Sequence, residues 1–325
     1  MASVIKEAPV QAIIPSVLNN VQTIGATWMI SSALFTTFTT TKFLQYEPPK
    51  AQSKIQPMSK LPRHTLLTFF RFSGSLLLGL LAHPNLHVMK RIEETLDIIP
   101  HFFLPAIFLF IANYSNSISL KRIGISLTYT SKCAIPVITL LLTLILDGRE
   151  SLPSIPVLLS LVPIALGIAT ASWNHPTFEI LGFLASLVSC TAQSALNVSS
   201  KRVLNKISVS GALAQRAMVT VGLGIASVVS LSQFFTSSDE RSEVRPPLWL
   251  TVAASSAYHM EYVLSFLFVK LVAPITYSTC DAVRRLGIII AGHFMFGGPP
   301  FTTLNILGIG MALVGAASYS ILNQR

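Results

Sequence analysis

The chain has 325 residues, 51% of them apolar and 11% charged, with a formal net charge of +10. Soluble globular chains carry about 25% charged residues, so this composition excludes an ordinary water-soluble domain and points to lipid. The Lys and Arg are scattered through short loops and into apolar runs without interleaved aromatics. That pattern argues against a nucleic-acid partner and for loop charges facing a bilayer surface.

The first residues, MASVIKEAPVQAIIPSVLNN, hold one Lys and no Arg. They resemble neither a basic secretory signal nor an Arg-rich transit peptide, which favours an endomembrane location (Golgi or ER) over a plastid envelope. A membrane span needs about 20 mostly apolar residues. Walking along the chain, ten runs meet that length: 22–43, 64–83, 99–118, 122–146, 154–174, 177–200, 209–235, 248–270, 274–296 and 302–322. Polar, Pro-containing connections follow the first and the seventh, and the rest are short. The predicted fold is an all-α membrane protein of about ten transmembrane helices. Loop Lys and Arg fall almost equally on the two sides, so the positive-inside rule assigns no orientation. Cys133, Cys190 and Cys280 lie inside apolar runs without metal-ligand or redox spacing and read as small buried hydrophobes.

An internal repeat organises these runs. LTYTS at 127–131 and ITYST at 275–279 stand 148 residues apart. Each is followed by an apolar run, a Gly-containing turn and a helix ending in small residues, ALGIATASW in one copy and ALVGAASYS in the other. The copies cover runs four and five, and nine and ten. An offset of five spans makes two inverted halves, 1–174 and 175–325, an architecture of transporters with the substrate site at the repeat interface.

Acidic and basic residues set back from the ends of the runs are Arg71, Lys132, Arg216, Glu261, Asp281, Arg284 and Arg285. Each costs about 2.5–3.5 kcal/mol at a helix centre, so each is expected to face a cavity or a partner. Arg71 and Arg216 lie within two turns of a segment end and can snorkel outward. Lys132, Arg284 and Arg285 fall in the repeated segments. Thr128 and Lys132 are four apart with Tyr129 beside them, which puts hydroxyls and an ammonium on one helix side. Tyr277, Asp281 and Arg285 are also spaced by four, so Asp281 reaches Arg285 and, at three apart, Arg284. Two guanidinium forks and one ammonium suit a phosphate group. The competing structural reading is buried salt bridges, but three cations against one nearby acid leave charge unmatched. HMEYV around His259 and Glu261 lacks further metal ligands, and no Walker loop, HExxH or GxSxG occurs. No cofactor and no enzyme activity are expected.

These residues resemble the triose-phosphate and sugar-phosphate translocators of the drug/metabolite transporter superfamily. ISLTYTSKCAIP, 125–136, is similar to that family's fourth-helix pattern VSFTHVIKAxEP, and PITYSTCDAVRRL is similar to its ninth-helix PxTHSVGNxVKRV. SALNVSSKRVLNK looks like the ending of the sixth helix, with Lys201 on a basic position. The resemblance covers about 100–325 and implies two inverted five-helix halves that exchange one phosphorylated solute for another or for inorganic phosphate. It implies phosphate-binding roles for Lys132, Arg284 and Arg285. Substrate-contacting positions of the family fall on Asn113, Asn116 and Glu261, where the residue types differ, and Asp281 replaces an Asn. The phosphate end is thus kept, while the organic end is rebuilt and more acidic, with Asn113, Asn116 and Glu261 expected on the side away from the cations. The expected function is antiport of a phosphorylated metabolite, with a nucleotide-sugar transporter or a non-transporting membrane scaffold as alternatives.

Overall fold

The computed structural model describes residues 21–48, 58–81, 88–147, 154–172, 178–207, 209–236, 243–271, 274–297 and 302–322. Among them the chain is helical almost throughout. Helix α1 (Val21–Ser31) runs through a π-helical turn (Ser32–Thr36) into α2 (Thr37–Leu44), and together they fill the first predicted run. Next come α3 (Arg63–Leu81), α4 (Val88–Ser131), a 3-10 turn (Lys132–Ala134) and α5 (Ile135–Asp147). The remaining helices are α6 (Ile155–Leu159), α7 (Leu161–Ser172), α8 (Ile180–Lys206), α9 (Gly211–Thr236), α10 (Leu248–Leu271), α11 (Pro274–Phe296) and α12 (Thr303–Leu322).

Four described stretches are long and apolar enough to cross a membrane: Arg63–Leu81, Val88–Leu146, Ile180–Leu204 and Gly211–Thr236. Their outer faces are apolar. Ile145 and Phe235 are 78% and 80% exposed, and Phe294 on α11 is 83% exposed, an arrangement suited to lipid and not to water. Buried side chains gather between the helices. One core joins Phe72, Phe102, Phe110, Met218 and Tyr258, and another joins Cys133, Ile164, Ile289, Ala312 and Leu313.

The third and fourth predicted runs meet without a loop. Gly124, at φ 75° and ψ −177°, is the one non-helical residue inside α4. That backbone region is essentially restricted to glycine, so a single residue turns the chain. The limb before it begins at Val88, eleven residues ahead of the predicted start. Residues 88–98 are helical but carry Lys90, Arg91, Glu93, Glu94 and Asp97, so a ruler for apolar runs passes over them.

Helices α7 and α12, which end the two repeat copies, pack backbone to backbone. A Cβ on Gly308 would lie 2.4 Å from the Ala171 nitrogen, and one on Gly167 would lie 2.4 Å from that of Ala312. The close approach lets the fully buried Asn305 amide donate to the Ala171 carbonyl at 3.0 Å. Small residues are how membrane helices come this close. Gly308→Ala is therefore expected to destabilise the protein by about 1–3 kcal/mol through overpacking. Gly310→Ala, whose added carbon meets nothing within 4 Å, is expected to be neutral or stabilising. Thermal unfolding in detergent compares the two, and equal shifts would refute the packing account.

At one end of the bundle the two long connections pair. Strand β1 (Met58–Ser59) lies antiparallel to β2 (Glu243–Val244), with Met58 opposite Val244. Glu243 accepts from the Arg63 backbone at 3.1 Å and bonds Lys121 of α4. Arg63 donates in turn to the carbonyls of Val244 and Leu44. Burial pushes the Glu243 carboxyl up, but its bonds to Lys121 and Arg63 outweigh this and hold it below the usual carboxylate range.

Candidate functional site

The site begins with a break in the helix. Pro136 has no N–H, so it cannot complete the bond to the carbonyl four residues back, that of Lys132. The turn tightens instead to 3-10 geometry, and Ile135 N–H donates to the Lys132 oxygen. The second lone pair of that oxygen accepts from Arg285 Nη1 of α11 at 2.7 Å. A motif of the first repeat copy thereby meets a motif of the second. Serines and a cysteine on α8, spaced by four, hold this segment from behind. Ser186 donates to the Thr128 carbonyl, Cys190 to that of Ser131 and Ser194 to that of Ile135, at 3.4, 3.4 and 3.2 Å.

The pairing of Asp281 with both arginines, expected from spacing, is present. Its Oδ1 accepts from Arg284 Nε and Nη2 at 3.1 and 2.7 Å, and its Oδ2 from Arg285 Nη2 at 2.5 Å. A second acid joins it. Glu261 Oε1 on α10 accepts from Arg284 Nη1 at 2.6 Å, and the Ser32 hydroxyl donates to the same oxygen at 2.9 Å. Arg284 Nη1 also donates to Ser32 Oγ at 2.8 Å, and the guanidinium lies 5.0 Å from the Trp28 ring centroid. Glu261 is with the cations and not on the far side, and two acids, not one, face the two arginines.

Lys132 stands apart. Its ammonium lies 5.1 Å from the ring centroid of Tyr129. Among the described residues it has no carboxylate partner. Thr128, expected beside it, is fully buried and instead bonds Ser119 at 2.8 Å. The two residues still stand four apart on the unbroken helical stretch that follows Gly124, but the Thr128 hydroxyl takes its partner from the other side of that turn.

Asn113 donates to the Leu109 carbonyl at 2.9 Å and reaches the Tyr262 hydroxyl at 3.5 Å. Asn116 is 8% exposed, and its Oδ1 has no hydrogen-bond partner among the described residues. Asn113 thus touches α10 one residue beyond Glu261. The backbone of Tyr277 lies in α11, and the side chains of Tyr277 and Lys201 are outside the described residues. Arg71 does not snorkel. It is 4% exposed, bonded to the Thr40 hydroxyl, and 5.2 Å from the Tyr258 ring centroid. Arg216 is half-buried with its stem beside Gly79, and its Nε is buried without a hydrogen-bond partner among the described residues.

Sequence reasoning missed Ser32, Trp28, Thr40, Tyr258 and Tyr262. The run SSALFTTFTTTK offered a signal, since hydroxyls are dense there for a lipid-facing helix. π-helical turns occur often at functional sites, and this one carries Ser32.

Comparison with known proteins fits these features. Phosphoenolpyruvate/phosphate translocator 3, chloroplastic, from Oryza sativa subsp. japonica is 30% identical over 83% of this chain and 70% of its own length. Phosphoenolpyruvate/phosphate translocator 2 and glucose-6-phosphate/phosphate translocator 2, both chloroplastic and from Arabidopsis thaliana, are 26% and 28% identical over 65% and 66% of this chain. The matches span 57% and 56% of the length of those two relatives. A solved crystal structure superposes with a TM-score of 0.53 at 16% identity, over 94% of this chain and 98% of its own, a likeness of fold alone. The family model described as Triose-phosphate Transporter family matches residues 53–320. The chain therefore belongs to the triose-phosphate transporter family of membrane transport proteins.

Proposed function

We propose that this protein is an antiporter exchanging a phosphorylated metabolite for inorganic phosphate across an organelle membrane by alternating access. The observation that carries this reading is Lys132, whose intramembrane ammonium lies over the Tyr129 ring with no carboxylate partner among the described residues, while its backbone carbonyl holds Arg285. A half-buried cation within the membrane is costly unless a ligand supplies the opposite charge. Phosphate does so, and the guanidinium forks give it geometry. Neutral solutes would leave the ammonium unmatched. The relatives are named for exchange of phosphoenolpyruvate or glucose 6-phosphate with phosphate, in keeping with a phosphorylated substrate and a phosphate counter-anion.

The reading includes about ten crossings in two inverted halves, 1–174 and 175–325. The meeting of α4 with α11 at the Lys132 carbonyl, and of α7 with α12, supports it, because both pairs join corresponding parts of the repeat. Occlusion of an empty site buries the ammonium unpaired, whereas occlusion of a loaded one does not. That difference favours exchange over one-way transport.

Purified protein in liposomes loaded with unlabelled phosphate is expected to take up labelled phosphate, and uptake should fall to background when the lumen holds no counter-anion. Uptake independent of a luminal anion would overturn antiport. The reading places the protein in Golgi or ER membranes, while the relatives are named as chloroplastic. Imaging a full-chain fluorescent fusion at a plastid envelope would replace that assignment.

A further inference from the structure

Arg71 was set aside in sequence as a residue able to reach the membrane surface, and nothing in the phosphate cluster uses it. Its surroundings are unusual for a purely structural arginine. It is 4% exposed on α3, and among the described residues no carboxylate pairs with it. Nη2 donates to Thr40, while Nε and Nη1 have no hydrogen-bond partner among the described residues. Desolvating a guanidinium in this way is unfavourable unless something answers its charge. The Tyr258 ring, 5.2 Å away, offers only a quadrupole.

The position of Tyr258 fixes where Arg71 stands. Tyr258, Glu261 and Tyr262 are spaced by three and four on α10 and share one helical face. Arg71 packs on Tyr258, and Arg284 bonds Glu261. Arg71 and Arg284 therefore engage residues three apart on the same face of α10. Asn113 adds a polar group on this side through Tyr262. Two cations here have no carboxylate partner among the described residues, Lys132 over the Tyr129 ring and Arg71 over the ring of Tyr258, one turn of α10 from Glu261. The acids that were expected to make the organic end negative are both occupied by Arg284 and Arg285. That end is cationic.

We propose that Arg71 is a specificity-determining residue that binds a second anionic group of the substrate, a carboxylate or second phosphate about a short carbon chain away from the first. This rests on the reading of the Lys132 cluster as the phosphate end. Arg is suited to the role because its fork takes a carboxylate in two parallel bonds.

The test uses the full-length protein in liposomes and two competitors of labelled phosphate exchange. Phosphoglycerate and glycerophosphate share a three-carbon phosphorylated chain and differ in whether the far carbon is a carboxylate or a hydroxymethyl group. Wild-type protein is expected to bind phosphoglycerate at least tenfold more tightly. Arg71→Gln should reduce that ratio to within about twofold of unity, and Arg71→Lys should leave an intermediate ratio, since charge remains without the fork. A wild-type ratio near one overturns the proposal, and so does a large ratio that survives in Arg71→Gln. If Arg71→Gln does not fold, the wild-type ratio together with that of Arg71→Lys decides: a ratio unchanged in Arg71→Lys overturns the proposal, and a lowered one supports it. If wild-type protein exchanges no phosphate at all, the reading of the phosphate end fails first, which is a separate outcome.

Discussion

Lys132→Met is expected to abolish most phosphate exchange while leaving the fold as stable as before, or more so. Methionine keeps the volume and removes the charge. Hydrogen bonds to charged groups are worth about 1.5–3 kcal/mol each, so the loss in affinity should be at least about tenfold. Stability moves the other way because, among the described residues, the ammonium has no carboxylate partner to strand. Replacing a buried, poorly compensated charge by an apolar group of similar size is often neutral or stabilising. Arg285→Ala should differ. It removes a partner from Asp281 and a donor from the Lys132 carbonyl, so function and stability should fall together. Half-saturation for phosphate in liposomes and unfolding temperature in detergent separate the two cases. Normal exchange in Lys132→Met would mean that the ammonium is no ligand for phosphate, and the functional claim would lose its main support.

Asp281→Asn is expected to tighten phosphate binding by about tenfold and to slow turnover. In the structure the carboxylate holds donors of both arginines, including two of the three nitrogens of Arg284. An incoming phosphate has to compete with it. The amide keeps one acceptor and gives up the charge, so the arginines become freer and the field more positive. Unpairing buried charge also costs stability, about 3–5 kcal/mol when one partner of a buried pair is removed, and the retained acceptor should place the loss below that range. A ligand held more tightly leaves more slowly, hence the lower turnover. Glu261→Gln should act on phosphate in the same sense, through Arg284. This revises the expectation from sequence, which had Glu261 choosing among organic groups. Weaker phosphate binding in both variants would show the acids to be supports for the arginines and not competitors of the ligand.

What the sequence made legible was whatever lies within one helix. Asp281, Arg284 and Arg285 pair at three and four residues, so helical periodicity alone predicted their bonds. Pro136 and Lys132 are likewise four apart, and the broken hydrogen bond between them follows from proline chemistry. Contacts between helices were not legible. Glu261 to Arg284 and Ser32 to Glu261 depend on how each helix is rotated about its axis, which composition does not specify. Thr128 failed for a related reason: its bond to Ser119 reaches across the Gly124 turn, and spacing along one helical stretch does not specify a partner beyond such a turn. Arg71 was misjudged because distance from a segment end says where a long side chain is able to go, whereas Thr40 and Tyr258 decide where it goes.

The paired strands at the end of the bundle close only the rim of a larger contact. Glu243 and Arg63 tie β2 to the ends of α2 and α3 and to Lys121, three residues before the Gly124 turn of α4, through a two-residue ladder, partly exposed ion pairs and a few carbonyl bonds. Partly exposed ion pairs contribute about 0–1 kcal/mol each and ordinary hydrogen bonds about 0.5–1.5 kcal/mol. Beneath them Phe43, Leu44, Leu67, Leu120 and Leu250 form a buried apolar cluster that joins the same helices. Loss of the polar fastening would therefore free the two long connections before it parted the helix ends.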